Sequence, residues 1–579
     1  MITSNTAHKS SPLDLHDRAM LGLRFLVNSV DERNGCLPNL WAHFGLGPAV
    51  ARHEFADFGD LTSRYLEGIY LAKCMTGSNL GDDVLVSLEN LFMSYFMYGD
   101  GLSYRPPIDS AFISKITKQP YKADIAEGFD QSRVMHALIT WFSATQDEKP
   151  KHLFESLIEG LRDKTVIQDD CMYFEDPAFL PGYKPSLCRP AHPQQLYFGG
   201  TQILPLTRWY ELTGNDLALY TARKLANFIT KDTFYFGENG SFESLRVVTR
   251  ESWDVINGHT HSRLSTIAGL LKYGRVASDE RVFQIGKKAF DWFYTRHCIS
   301  TGWCPEFLGN GDIEEAGCET CTLMDVIHCC LELSARGHDE YWSIIERIAR
   351  NQLVEQQLTD TSFVEYSENT SDNTFECYRM ACDSLLGGFG GWCGPNDFVG
   401  RNKSSQWLMN CCGPSGVKAL YLVWHNAVQW SDGDLHINLL ISRRSEYADV
   451  ISCDPVRGRI DILPKQDCRL TVHLPDWVDK RSVKLLIEDK SREVEWQGSR
   501  ILAGMVRDHQ NVVIEYDLRE TTITDAVGDL EYQSRWIGDT AVSMSPGGAN
   551  VPLYLREWLI DPNTLPVLPD YTPDREFDA

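Results

Sequence analysis

No stretch of this sequence approaches the roughly 20 apolar residues that a membrane-spanning helix needs, so a spanning topology is not expected. The opening MITSNTAHKSSPLDLHD lacks the basic start and apolar run of a secretory signal. Basic residues are also scarce, with 55 Lys and Arg against 80 Asp and Glu and a net charge of −25. Nucleic acids and anionic membranes need clustered Lys and Arg to neutralise phosphate, so neither is an expected partner. Cysteine, by contrast, is plentiful, with 17 in 579 residues. Without an export signal, reduced thiols, metal ligands or a nucleophile are expected in place of a disulfide framework. The expectation is a soluble, cytoplasmic protein. Hydrophobic residues at 43% suffice for packed cores and exclude a disordered chain.

The first 400 or so residues read as helix pairs, each broken by a short polar joint. The joints centre near Gly77, Gln146, Gly214, Ser278 and Gly337, at spacings of 69, 68, 64 and 59 residues. Each unit predicts an αα-hairpin with one short turn and one long connection to the next pair. In the first, Leu61, Tyr65, Ile69 and Ala72 share a helical face, with Asp60 as the predicted N-cap. A helix from Ser415 to Asn426 completes about six pairs. Such pairs stack as a solenoid or close into an α/α toroid, and the slowly varying period favours closure. The long connections then gather at one end, and they are rich in Cys, Glu, His, Trp and Gly. After about residue 430 the runs HINLLIS, GRIDILP, RLTVHLP, VKLLIED and NVVIEYDL predict an antiparallel β-sandwich. The expected organisation is multidomain, α then β: a flexible tail over 1–14, a toroid over 15–427, a β-sandwich over 428–560, and a strap or tail over 561–579.

The most informative cluster is Cys318-Glu319-Thr320-Cys321, answered ninety residues later by Cys411-Cys412. Four ligands from two short segments suit zinc, although three thiolates and a carboxylate also suit iron or cobalt. Gly413-Pro414 places the second pair at a helix start, where thiol pKa falls. Three readings remain open from the spacing: a structural Cys₄ site including Cys318, a site in which Glu319 replaces it and one thiolate serves as a nucleophile, or buried thiols that hold no metal.

CPEFLGNGDIEEAGCETC followed by MNCCGPSG resembles glycoside hydrolase family 127, the β-L-arabinofuranosidase group. HEFADFGDLTSRYLEG and RWIGDTAVSMSPGG add to the resemblance. It implies an α/α toroid with β-sandwich modules, and Glu319, Cys321, Cys411 and Cys412 as zinc ligands. It further implies Cys411 as nucleophile and Glu306 as general acid/base. His259 matches a histidine near a helix start in relatives and is the expected substrate-binding residue; His261 is set aside. Asp57 and Asp60 are candidates for sugar hydroxyls, and Trp41, Tyr197, Trp303 and Trp392 for stacking on a sugar face. The chain departs from the pattern at Gln194 and Thr201, where a histidine is expected, and in FGENGSFES. His192 lies close but displaced. GGFGGWCG at 387–394 reads as a flexible, pocket-lining loop, because no βαβ unit encloses it.

The resulting expectation is a zinc-dependent retaining exo-glycosidase that removes a terminal furanose-type sugar. Its rival is a non-catalytic carbohydrate-binding or scaffold protein with a structural Cys₄ zinc; another α/α-toroid enzyme, an epimerase or lyase, is a third reading. The expected partner is a small carbohydrate or glycoside, and a homodimer is an open alternative for the assembly.

Overall fold

Each of the five predicted joints contains a residue in the left-handed backbone region: Gly77 (φ 63°), Gln146 (59°), Gly214 (72°), Ser278 (55°) and Gly337 (98°). Such a residue ends a helix by turning its own N–H back onto the last carbonyls. Gly77 bonds Lys73 O, Gln146 bonds Phe142 O and Gly214 bonds Tyr210 O, each at 2.8 Å. The coordinates, a computed structural model, describe residues 13–45, 48–107, 123–189, 191, 194–242, 258–308, 317–365, 372–373, 376–378, 381–400, 407–561, 568–569, 571–573 and 575–578.

The longer helices are α1 (Leu15–Asn28), α2 (Asp60–Thr76), α3 (Asp82–Ser94), α4 (Gly128–Thr145), α5 (Glu148–Asp163) and α6 (Ile203–Thr213). They continue with α7 (Asp216–Ile229), α8 (Thr260–Val276), α9 (Glu280–His297), α10 (Thr320–Ala335), α11 (Glu340–Ile348) and α12 (Cys412–Ala427). In each hairpin the first helix is buried nearly all round and the second on one face. In α2, Leu61, Tyr65, Ile69 and Ala72 are fully buried, but so are the polar Thr62 and Ser63. In α5 burial follows Phe154, Leu157, Ile158 and Leu161, the one-sided spacing of an outer helix. The inner helices touch in the order α2, α4, α6, α8, α10, α12, and α12 returns to α2, while α1 packs against both α12 and α2.

Asp60 is not the N-cap of α2 as expected. Gly59 takes that place, and a Cβ there would lie 2.0 Å from an oxygen of Asp130. Asp60 is thereby moved into the first turn.

The chain changes from helix to strand at Val428. A five-stranded and a six-stranded sheet share one apolar core that includes Leu435, Ile462, Leu470, Ile501, Val512 and Ile514. Pairing is mostly antiparallel, but Asp434–Ile437 runs parallel to Cys468–His473. A third sheet, Glu520–Val527, Leu530–Ile537 and Thr540–Ser545, belongs instead to the helical core through Val527, Tyr532, Trp536 and Met544. The Asn351 amide anchors it by donating to Asp539 O and accepting from Ala541 N, each at 2.8 Å. Among the described residues of the C-terminal strap, the Asp578 carbonyl accepts from Arg208 at 2.8 Å, and the Asp578 and Glu576 carboxylates flank His425. No helix among the described residues is long and apolar enough to cross a membrane.

Candidate functional site

The inner helices bring their N-termini together at one end of the ring. Glu319 is the N-cap of α10, Cys411 the N-cap of α12 and His259 the N-cap of α8. One ligand atom from each of Glu319, Cys321, Cys411 and Cys412 lies within 4.8 Å of the others, and all four residues are buried. Cys321 Sγ is 3.8 Å from Cys412 Sγ and 3.7 Å from the Cys411 carbonyl. Adjacent cysteines reach one point here because Cys411 precedes the helix and Cys412 begins it.

Cys318 is not in this group. Its peptide pairs with Cys393 in both directions (2.8 and 3.2 Å), and its thiol faces the Gln356 side-chain oxygen at 3.9 Å. In extended backbone successive side chains point to opposite sides, so Glu319 turns inward when Cys318 turns away.

Glu306 approaches from the connection after α9. Its N–H bonds Gly317 O, and its carbonyl accepts from Thr260 N, both at 2.8 Å. That ladder sets Glu306 beside His259, and one ligand atom from each of His259, Glu306 and Glu319 lies within 4.8 Å of the others. Glu306 is 3% exposed. His259 Nε2 lies 2.9 Å from Glu319 Oε2 and orients that carboxylate.

The electrostatics are uneven. Hydrogen bonds from Cys321 and Cys412 lower the Cys411 thiol to about 6 despite burial. Burial raises the other two thiols, and burial with the charge of Cys321 raises Glu319 against the pull of His259. Helix N-termini add partial positive charge. The arrangement therefore offers one thiol of lowered pKa beside a carboxyl group, with a second carboxyl group next to that one.

Several residues below the thiols were not singled out from the sequence. Arg64 donates to Ser415 Oγ at 2.9 Å, to His261 Nε2 at 3.2 Å and toward Cys321 Sγ at 3.7 Å, and it pairs with Asp60. Arg133 reaches the same His261 nitrogen at 3.2 Å. Two guanidinium donors require a lone pair there, so His261 is neutral and carries its proton on Nδ1, toward Asp325. Burial and both arginines depress its pKa far below the usual value. His261 was set aside, yet it sits at the centre. The sequence carries a faint signal in the i, i+4 pairs Asp60/Arg64 and Cys321/Asp325.

The other candidates separate. Trp41 stacks on Trp392 (5.6 Å, 13°) with Trp407 edge-on, and Tyr197 stacks on Phe129 (4.2 Å, 5°). Trp303 is 1% exposed and donates to Cys393 O at 2.7 Å, a structural role. Asp57 is fully buried and accepts from Leu40 N, Glu54 N and His53, so it organises backbone. Gln194 is buried, Thr201 bonds Tyr197 O, and His192 lies outside the described residues. Residues 387–394 are packed rather than loose: a Cβ on Gly390 would meet Cys393 Sγ at 2.2 Å, and one on Gly391 would meet Cys412 Sγ at 3.6 Å.

No family model matches this chain, and no curated protein matches it. Its fold is similar to that of a glycoside hydrolase family 127 β-L-arabinofuranosidase from Geobacillus stearothermophilus T6, with TM-score 0.57 and 13% identity over 90% of this chain and 80% of that one. A second family 127 β-arabinofuranosidase gives 0.59 and 13% over the same shares. A structure named only as a glycoside hydrolase gives 0.55 and 12%, covering 88% of this chain and 84% of that one.

Proposed function

We propose that this protein is a zinc-dependent retaining exo-glycosidase that hydrolyses a terminal furanose-type sugar, a β-L-arabinofuranoside or a related glycoside. In this reading the ring of helices is an α/α toroid of six hairpins, followed by a β-sandwich. The supporting observation is the convergence of Glu319, Cys321, Cys411 and Cys412 within 4.8 Å, with Glu306 and His259 beside Glu319. Three sulfurs and a carboxylate oxygen, all buried, form a donor set that suits zinc. The likeness of fold to two proteins named β-arabinofuranosidases supports the substrate class.

A zinc ion held by those four residues would supply charge stabilisation of thiolate sulfur at neutral pH. Cys411 Sγ attacks the anomeric carbon as the glycosidic bond breaks, and Glu306 gives its proton to the departing oxygen. Glu306, now ionised, takes a proton from water, which attacks the same carbon and releases the Cys411 thiolate. Two inversions retain the configuration, as when two carboxyl groups share the work. His259 holds Glu319 in place and presents its exposed edge to the sugar. The chain lacks the expected histidines near Gln194 and at Thr201, which favours a glycone related to arabinofuranose over arabinofuranose alone.

Aryl furanosides and pyranosides test this directly. Wild-type protein hydrolyses one of them with retention, while Cys411→Ser and Glu306→Gln each lose about 10³-fold or more in kcat/KM. Full activity in Cys411→Ser would falsify the assignment of the nucleophile.

A further inference from the structure

Apart from the thiols beside Glu319, a second pair, Cys298 and Cys304, lies on the turn that leads to Glu306. The chain leaves α9 at Cys298 and reverses: Ile299 N bonds Trp303 O at 3.0 Å, and Gly302 N bonds Ile299 O at 2.9 Å. Gly302 takes φ +92°, which suits glycine, and a Cβ there would lie 2.6 Å from Ile348. This reversal brings the residues that flank it back toward one another. Those residues are Cys298 and Cys304, and a disulfide needs Cα atoms about 4.4–6.8 Å apart, a span that a reversal this tight can supply.

The side chains agree with the backbone. The Cys304 thiol is within hydrogen-bonding reach of the Cys298 thiol on one side and the Cys318 thiol on the other. Cys304 is fully buried, whereas Cys298 is partly exposed, and both are reduced. The turn is held from three directions: Trp303 donates to Cys393 O at 2.7 Å, Ser300 N to Asp525 at 3.1 Å and Thr301 to Gln352 at 3.3 Å. A pair held this way closes with little loss of chain freedom.

We propose that Cys298 and Cys304 are a redox-responsive modification site, converted by a low-molecular-weight disulfide into an intramolecular disulfide that locks the turn leading to Glu306. The Cys298 thiolate attacks one sulfur of the reagent and expels the first thiolate. Cys304 then attacks the Cys298 sulfur and expels the second. The two protein thiols are oxidised, the reagent is reduced to two thiols, and the two protons go to those leaving groups. Closure draws Cys304 from Cys318, the neighbour of Glu319, and so reaches both loops that carry a carboxyl group of the site.

The experiment treats the full chain with glutathione disulfide, quenches it in acid, unfolds it, and labels free thiols with one alkylating reagent. After reduction a second reagent labels the sulfurs that were disulfide-bound, and mass mapping reads both. The expected result is the second label on Cys298 and Cys304 in equal amount, reversed by glutathione. In Cys298→Ser, Cys304 carries only the first label; in Cys304→Ser, Cys298 carries a mixed adduct. A second label on Cys298 without Cys304 in the wild type, or on Cys321, Cys411 and Cys412 alone, overturns the proposal. The readout needs no glycoside, so it stands or falls independently of the proposed hydrolysis.

Discussion

At one end of the helical ring the inner helices begin with Asp60, Glu319, Cys411 and His259 at or beside their first residues. At the other end they finish with Lys73, Arg275 and His425 in the last turn, and Lys272 and Arg208 lie close by. Both sets follow the helix dipole, which favours anions at N-termini and cations at C-termini. The far end surrounds a cavity of ≈ 450 Å³ and is charge-matched within the chain. Glu332 takes Lys272 at 3.0 Å and Arg275 at 2.8 Å, and Glu211 takes the same two cations. The near end instead gathers three sulfurs and the Glu319 carboxylate around one point, with Glu306 beside Glu319, next to the His259 imidazole and the Arg64 guanidinium. One scaffold thus carries a self-balanced network at one end and, at the other, a donor set that gains from a bound cation.

This contrast can be broken at either end, and the largest effect belongs to the near one. Glu319→Gln removes a charged donor, so metal affinity falls by at least about 100-fold, since even groups that only support a ligand are worth about 10–100-fold. Cys318→Ser, whose thiol faces Gln356, keeps its metal; elemental analysis of both variants decides. Metal loss in Cys318→Ser with retention in Glu319→Gln would restore the structural Cys₄ reading. At the far end Glu332→Gln leaves Lys272 and Arg275 with Glu211 alone and costs about 3 kcal/mol in stability, measured by urea unfolding. Its metal content stays unchanged. A destabilisation too small to resolve would show that the distal network does not balance itself.

A further effect is expected in the pH dependence of stability, at His53. Burial disfavours a charged His53, but its hydrogen bonds to Asp31 and Asp57 outweigh this and raise its pKa to about 11. A raised pKa means the folded state binds the proton more tightly than the unfolded one. Its contribution is therefore complete below about pH 6.5 and is lost as pH rises toward 11. His53→Gln should flatten the fall in Tm between pH 7 and pH 10, and parallel curves for variant and wild type would contradict the ion-paired imidazole.

Much of the fold was legible because it depends on near neighbours. Gly77, Gln146, Gly214, Ser278 and Gly337 announce the helix ends, and all five take the left-handed backbone such ends use. The strands after Val428 were equally visible, but the sheet each joins was not. Glu520–Ser545 alternates like the strands before it, yet it packs on the helices because Asn351 and Arg347 receive Asp539 and Ala541. Residues 387–394 looked loose because glycines permit it, whereas their backbone is pressed between α1 and the thiol cluster.

The sequence by itself determined the helix hairpins, the change from helix to strand, and which short segments hold thiols and carboxylates. These follow from periodicity and turn chemistry, which act over a few residues. Only the tertiary structure brought Glu319 and not Cys318 to the three sulfurs, made His261 the acceptor for two arginines, and closed the turn between Cys298 and Cys304. Each of those outcomes depends on which way a side chain turns once a segment distant in sequence or a tight reversal fixes the backbone, and ring closure supplies that constraint from partners as far apart as α2 and α12.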